Sequence, residues 1–105
     1  MPFPYIESNE IKFRPAVLLK KLPNDYEDWL VCMITTKLHQ EIKNLDITIN
    51  QDDTDYKDSG LKQKSLIRVS RLAVVNKSQL PGVLGNVSEE RLKTIKINLL
   101  NWITS

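Results

Sequence analysis

Two short apolar runs on either side of one turn signal limit the fold more than any other feature of this chain. The first is Ala16-Val17-Leu18-Leu19, entered through Lys12-Phe13-Arg14-Pro15. The second runs from Trp29 to Thr35. Neither leaves a polar face for water, so each reads as a strand covered on both sides. Periodicity alone does not separate so short a run from a piece of buried helix. Between them, Lys21 to Asp28 contains Pro23-Asn24-Asp25, in which proline presets φ and Asn or Asp bonds to nearby backbone. Two apolar runs joined by such a loop form an antiparallel pair. Pro15 lacks a ladder donor and is expected at the start of its strand, with Arg14 at the rim of the core.

That pairing carries a positional consequence. The loop is centred between Asn24 and Asp25, and Arg14 and Thr35 are centred on the same point. A symmetric hairpin sets them side by side, with Cβ atoms about 5 Å apart. A slip of one residue sends them to opposite faces. An arginine at a strand end is ordinarily a solvated charge; an arginine facing a threonine hydroxyl can do more.

The rest of the chain reads as follows. Pro2 and Pro4 keep the first residues extended, and Glu7-Ser8-Asn9-Glu10 is a polar loop. Lys37 to Lys43 is a loop or helical turn. Leu45-Asp46-Ile47-Thr48-Ile49 alternates like a half-buried strand. Asn50 to Gly60 is an Asp-rich loop. Ser65 to Val75 is strand-like, broken near Ser70-Arg71 into two strands. Asn76 to Gly82 is a turn region, and Val83 to Val87 suits a short final strand. Ser88 then caps a helix whose first turn carries Glu89 and Glu90. Leu92, Ile95, Leu99, Trp102 and Ile103 share one face of it, leaving Arg91, Lys93, Lys96 and Asn98 to the other. The helix is expected to cover the open sheet face, with Trp102 as a core plug. The fold class is therefore mainly β with a C-terminal helix (α+β).

Composition excludes several functions. The 105 residues suit one domain, 1–105, with one core. A 41% hydrophobic and 27% charged composition is that of a soluble globular protein. A net charge of +2 permits a nucleic-acid partner without arguing for one. No run approaches the roughly 20 apolar residues of a membrane span, and the N-terminus lacks the pattern of a signal peptide. A soluble cytoplasmic protein with no membrane partner is expected. Cys32 is the single cysteine; with Val31 and Met33 beside it, it reads as an inert buried thiol.

Metal and hydrolase chemistry find little support. Asp52, Asp53, Asp55 and Asp58 lack the ligand order of a calcium loop and read as a solvated surface loop. No His or Cys spacing suits zinc. Gly60, Gly82 and Gly85 form no phosphate loop. His39, the only histidine, reads as a loop residue near the Thr35 end, and no catalytic triad is evident. No metal and no cofactor are expected. What remains is Arg14 opposite Thr35, with Lys12, Lys37, Lys62 and Lys64 nearby or on loops. A guanidinium fork suits a phosphate, and a hydroxyl adds a neutral donor. Together they can hold a phosphodiester and stabilise the extra charge of a five-coordinate phosphorus. In RNA the 2′-hydroxyl can be the nucleophile, so neither a metal nor an activated side chain is compulsory. A plain surface pair is the alternative.

In their order along the chain, Phe13-Arg14-Pro15-Ala16-Val17-Leu18, Ile34-Thr35-Thr36, Ser59-Gly60-Leu61 and Ser65-Leu66-Ile67-Arg68 resemble the MazF/PemK-like toxins of bacterial toxin–antitoxin systems. Pro2-Phe3-Pro4-Tyr5 and Leu84-Gly85-Asn86-Val87-Ser88-Glu89-Glu90 are similar to the segments after the family's first strand and before its C-terminal helix. The resemblance implies an SH3-like small barrel with a C-terminal helix, acting as a homodimer. It implies a metal-independent endoribonuclease that cuts single-stranded RNA, often mRNA, by 2′-hydroxyl attack. The products are a 2′,3′-cyclic phosphate and a 5′-hydroxyl. It also implies a cognate antitoxin whose acidic segment enters a basic groove.

The family's catalytic arginine and threonine match Arg14 and Thr35. Arg14 is assigned to transition-state charge, since its very high pKa makes it a poor proton carrier. Thr35 positions the phosphate, and Lys12, Thr36 and Lys37 are the expected substrate-binding residues. Family members usually open with a strand carrying a Gly-Asp pair. This chain begins at Met1-Pro2, so the expectation extends to a barrel lacking its first strand, through truncation or a start assigned downstream. That would leave an exposed sheet edge and impaired activity. The alternative function is a noncatalytic small-barrel module that binds nucleic acid or protein, or an inactive toxin.

Overall fold

The computed structural model describes the backbone of residues 2–7, 10–80 and 85–105, and the side chains of residues 15–80 and 85–105. Its strands are β1 (Pro2–Glu7), β2 (Glu10–Lys21), β3 (Asp28–Thr35), β4 (Ile47–Ile49) and β5 (Ser65–Asn76). They form an antiparallel sheet in the order β1-β2-β3-β5-β4. A short helix α1 (Tyr56–Ser59) precedes β5, and α2 (Glu89–Ile103) closes the chain.

The apolar pair is a hairpin, but β2 is longer than its apolar run. Its first half pairs with β1, from Glu10↔Glu7 to Pro15↔Pro2, and its second half pairs with β3 from Ala16↔Met33 onward. Pro15 is therefore not at the start of the strand. It sits where the strand exchanges one partner for another, a place that tolerates a residue without a ladder donor. Glu7 and Glu10, expected in a loop, belong to β1 and β2; Ser8 and Asn9 lie outside the described residues. Pro2–Glu7, expected only as an extended lead-in, is the edge strand.

The hairpin turn works as its residues dictate. The Asn24 side chain accepts from the Tyr26 N–H at 3.0 Å, and Leu22 N–H donates to Asp28 O at 2.8 Å. The pairing is not symmetric about that turn. Lys20↔Leu30 and Lys21↔Trp29 are displaced by one residue from Leu18↔Val31 and Ala16↔Met33, with a bulge between Leu18 and Lys20. The bulge restores the register that a symmetric loop would have produced.

β5 is continuous, not two strands. The irregularity expected near Ser70-Arg71 is present as a register shift: Cys32 faces Leu72 while Met33 faces Arg68. Buried Asp46 secures it, accepting from Ser70 N–H at 2.9 Å and from Ser70 Oγ at 3.1 Å. Strand β4 is shorter than its alternating pattern, because Leu45 and Asp46 precede it in a turn, although both are buried. The Asp-rich loop contains α1, closed by Gly60 at φ 73°, a left-handed conformation that suits glycine. Gly85 to Val87 are not in a strand, and the rest of that expected element lies outside the described residues.

Alternate residues of β2, β3 and β5 feed two cores, which explains the missing polar face in their sequences. Val17, Leu19, Cys32, Ile34, Ile67 and Val69 pack beneath Ile95 of α2. Ala16, Val31, Met33 and Val75 form a second cluster with Leu18, Trp29 and Ala73. Helix α2 has Ser88 as its cap, accepting from Arg91 N–H at 3.1 Å. Ile95, Leu92 and Leu99 face the core, but Trp102 and Ile103 are 59% and 61% exposed, so Trp102 is no core plug. The helix outruns the sheet beneath it, and its last turn has nothing to cover. Arg91, expected on the solvated face, points instead to Asp53 and Asp55. Asn98, expected there too, donates to Leu45 O at 3.3 Å.

Candidate functional site

Thr35 ends β3 on the sheet face away from α2, two residues beyond Met33. It is 9% exposed, and its hydroxyl oxygen accepts from the Lys37 N–H at 3.2 Å. That contact fixes the oxygen and leaves the hydroxyl proton available for an incoming acceptor. Thr36 is exposed in the bend that follows, and Lys37 is exposed ahead of the 3-10 turn Leu38–Gln40.

Thr35 opens into a cleft of about 180 Å³, lined by Met33, Lys37, Gln40, Arg68 and Arg71 among others. Arg68 and Arg71 come from β5, and Lys37 from the segment that follows β3. Directly opposed residues of an antiparallel pair share a face, so Arg68, opposite Met33, rises on the same face as Thr35. Arg71 follows the register shift that Asp46 secures. Among the described residues, none of these three cations is in an ion pair and no carboxylate lines the cleft.

Arg68 is held unusually. One outer nitrogen, Nη1, donates to Gln40 Oε1 at 3.2 Å, while the Nε–H is buried and has no hydrogen-bond partner among the described residues. A buried unpaired donor costs about 1–3 kcal/mol, and such groups in a native structure call for a functional or structural explanation. Neither arginine was among the expected site residues. The signal available in the sequence was Arg68 and Arg71 three residues apart in a strand-like run, which ordinary alternation would have sent to opposite faces. The register shift brings both to the cleft.

Arg14 lies in β2 opposite Phe3, and Lys12 opposite Tyr5, on the β1 side. The β2–β3 ladder stops at Ala16↔Met33; continued unchanged for two residues, its register sets Arg14 level with Thr35. The side chains of Lys12 and Arg14 lie outside the described ones. His39 is exposed and does not line the cleft. Lys62 and Lys64 are exposed in the segment before β5 and do not line it either.

Of the loop aspartates, Asp52 and Asp58 are exposed as expected, but Asp53 and Asp55 are not free in solvent. Asp55 is buried and forms a fork with Arg91, Nε–Oδ2 2.7 Å and Nη2–Oδ1 3.0 Å, and Asp53 accepts from Nη2 at 2.9 Å. Among the described residues, no group of three or more His, Cys, Asp or Glu side chains is placed to hold a metal. No described helix is long and apolar enough to cross a membrane. Burial, with the charge of Asp46 behind it, pushes the Cys32 thiol up to about 12, which leaves it protonated and inert.

The antiparallel sheet and its C-terminal helix make a mainly-β half-barrel, with the cationic cleft at the end of a central strand. The solved structure of "Mycobacterium tuberculosis toxin MazF-mt6" shares this fold, with a TM-score of 0.68 at 16% identity; the match covers 99% of this chain and 97% of that one. No curated protein sequence matches. The family model described as PemK-like, MazF-like toxin of type II toxin-antitoxin system matches residues 1–103. The chain belongs to this toxin family.

Proposed function

We propose that this protein is a metal-independent endoribonuclease, the toxin of its toxin–antitoxin pair, and that Arg14 and Thr35 act on the scissile phosphate. The observation that carries the reading is the cleft at Thr35: a fixed hydroxyl, three lining cations and, among the described residues, no lining carboxylate. Such a lining repels nothing that an RNA backbone brings and favours extra negative charge on phosphorus. In the reaction, the 2′-oxygen bonds to phosphorus and the P–O5′ bond breaks. The 2′-hydroxyl proton is lost to water, and the 5′-oxygen takes one from water. Thr35 donates to a non-bridging oxygen, Arg14 balances the charge of the five-coordinate state, and Lys12, Thr36 and Lys37 hold flanking phosphates.

The same proposal includes an antitoxin that competes for the cationic cleft, a homodimer, a cytoplasmic location and a single domain over 1–105. Association is supported by exposed apolar side chains on β5 and α2, Val74, Leu100, Trp102 and Ile103 among them. Light scattering of the purified chain tests the dimer.

The activity is tested with single-stranded RNA in excess EDTA, with the ends mapped. Discrete cuts leaving 2′,3′-cyclic phosphates are expected. Arg14→Ala should slow cutting by about 10²–10³-fold while leaving the melting curve intact. RNA binding by folded protein without any cutting would instead make this a noncatalytic binding module.

A further inference from the structure

We infer that Lys37, Arg68 and Arg71 form a second phosphate subsite, which takes the RNA phosphodiester next to the scissile one, and that Gln40 positions Arg68 for it. This rests on the endoribonuclease reading for its ligand, and on separate observations for its place.

The place follows from strand geometry. Thr35 and Met33 are two residues apart on one face of β3, about 7 Å along the strand. Arg68 is opposite Met33, so its backbone lies about one phosphate step along the sheet from that of Thr35, and both side chains line one cleft. Lys37 follows Thr35 by two residues and Arg71 follows Arg68 by three on β5, and both line the same cleft.

The chemistry follows from how Arg68 is held. Its Nε is buried and its Nη1 is tied to Gln40, so the guanidinium is fixed before any ligand arrives. A fixed planar fork loses little freedom on binding and suits the two non-bridging oxygens of a phosphodiester. Among the described residues no carboxylate pairs with it, and Asp46 is occupied by Ser70 and the Ile42 N–H. Three cations without a described carboxylate, beside a hydroxyl in one cleft, suit a polyanion such as a phosphodiester chain.

The test measures binding and cutting separately. The binding probe is a single-stranded RNA with 2′-O-methyl groups, which cannot be cut by its own 2′-oxygen. Arg68→Gln and Arg71→Gln are each expected to weaken binding about tenfold or more. Each should make the slope of log K against log salt shallower by about 0.7, the value for one phosphate contact on a single strand. Arg68→Lys keeps the charge and should keep the slope while losing affinity, and Gln40→Ala should do the same. Arg71 is exposed, so its variant folds even if the Arg68 variants melt early.

Unchanged affinity and slope in both Gln variants, with cutting intact, overturns the subsite and leaves the endoribonuclease reading standing. Binding that needs Arg68 and Arg71, in a wild-type protein that cuts nothing, supports the subsite and removes the nuclease. Failure to bind RNA, with polyglutamate bound instead, overturns the subsite.

Discussion

Arg91 of α2 and Asp55 of the acidic loop are joined by a two-pronged ion pair, Nε–Oδ2 at 2.7 Å and Nη2–Oδ1 at 3.0 Å. Asp55 also accepts from the Ser88 N–H at 3.1 Å, so one carboxylate ties the helix start, the helix's first arginine and the loop together. The Arg91 hydrogen bond, helped by that of Ser88, holds its carboxyl below the ordinary 3.8 despite burial. A depressed folded-state value means that the unfolded chain binds the proton more readily. The stability this gives is complete above pH 3.8 and is lost as pH falls through the folded value. Asp55→Asn should lower the unfolding free energy at neutral pH by about 3 kcal/mol, the low end for removing one partner of a buried pair. Urea titrations should show the gap to wild type narrowing below pH 3.8. A gap that is constant with pH would mean that the pair contributes only shape.

Much of the fold was legible because local chemistry and tertiary structure agree in this chain. Pro23-Asn24-Asp25 makes its turn with Asn24 bonding to backbone, and Ser88 caps the helix that it precedes. A symmetric hairpin predicts Arg14 level with Thr35. From Leu18↔Val31 to Ala16↔Met33, where the ladder ends, the pairing has the symmetric register, but through an asymmetric turn and a compensating bulge near Leu19. No pattern in Leu18-Leu19-Lys20 announces that bulge. Arg68 and Arg71 were missed for the same reason: the shift in β5 is decided by Asp46, which is remote in sequence from the residues it secures. Trp102 was misplaced because helical periodicity says which residues share a face, not how far the covered sheet extends.

That helix provides a contrast on a single element. Ile95 is fully buried beneath α2, and Trp102 is 59% exposed on the same helix. Ile95→Ala should cost about 2–5 kcal/mol, the range for emptying a core site. Trp102→Ala should change the stability of the isolated chain by less than about 0.5 kcal/mol. Thermal melts at several protein concentrations check both. A large loss for Trp102→Ala that grows with concentration would place Trp102 between subunits.

Cys32 is buried on β3 between Val17 and Leu72 in register, with its thiol pushed up to about 12. Iodoacetamide at pH 8 should leave the native protein unlabelled and modify it fully in urea. The labelling rate across urea concentrations should follow unfolding. Rapid labelling without denaturant would show a thiolate that burial ought to forbid.

Asp46 links stability to the cleft. It is buried, and its two oxygens accept from Ile42 N–H at 2.9 Å, Ser70 N–H at 2.9 Å and Ser70 Oγ at 3.1 Å. Asp46→Ala would leave two backbone donors unpaired, at a cost of about 2–4 kcal/mol. Asp46→Asn retains one acceptor oxygen and should lose about half as much. Because Ser70 lies between Arg68 and Arg71, either change frees the shift that turns both arginines to one face. RNA affinity should therefore fall in both variants even where they remain folded, and the salt slope should become shallower as an arginine leaves the cleft. Weaker stability with unchanged RNA affinity would separate the Ser70 irregularity from the site.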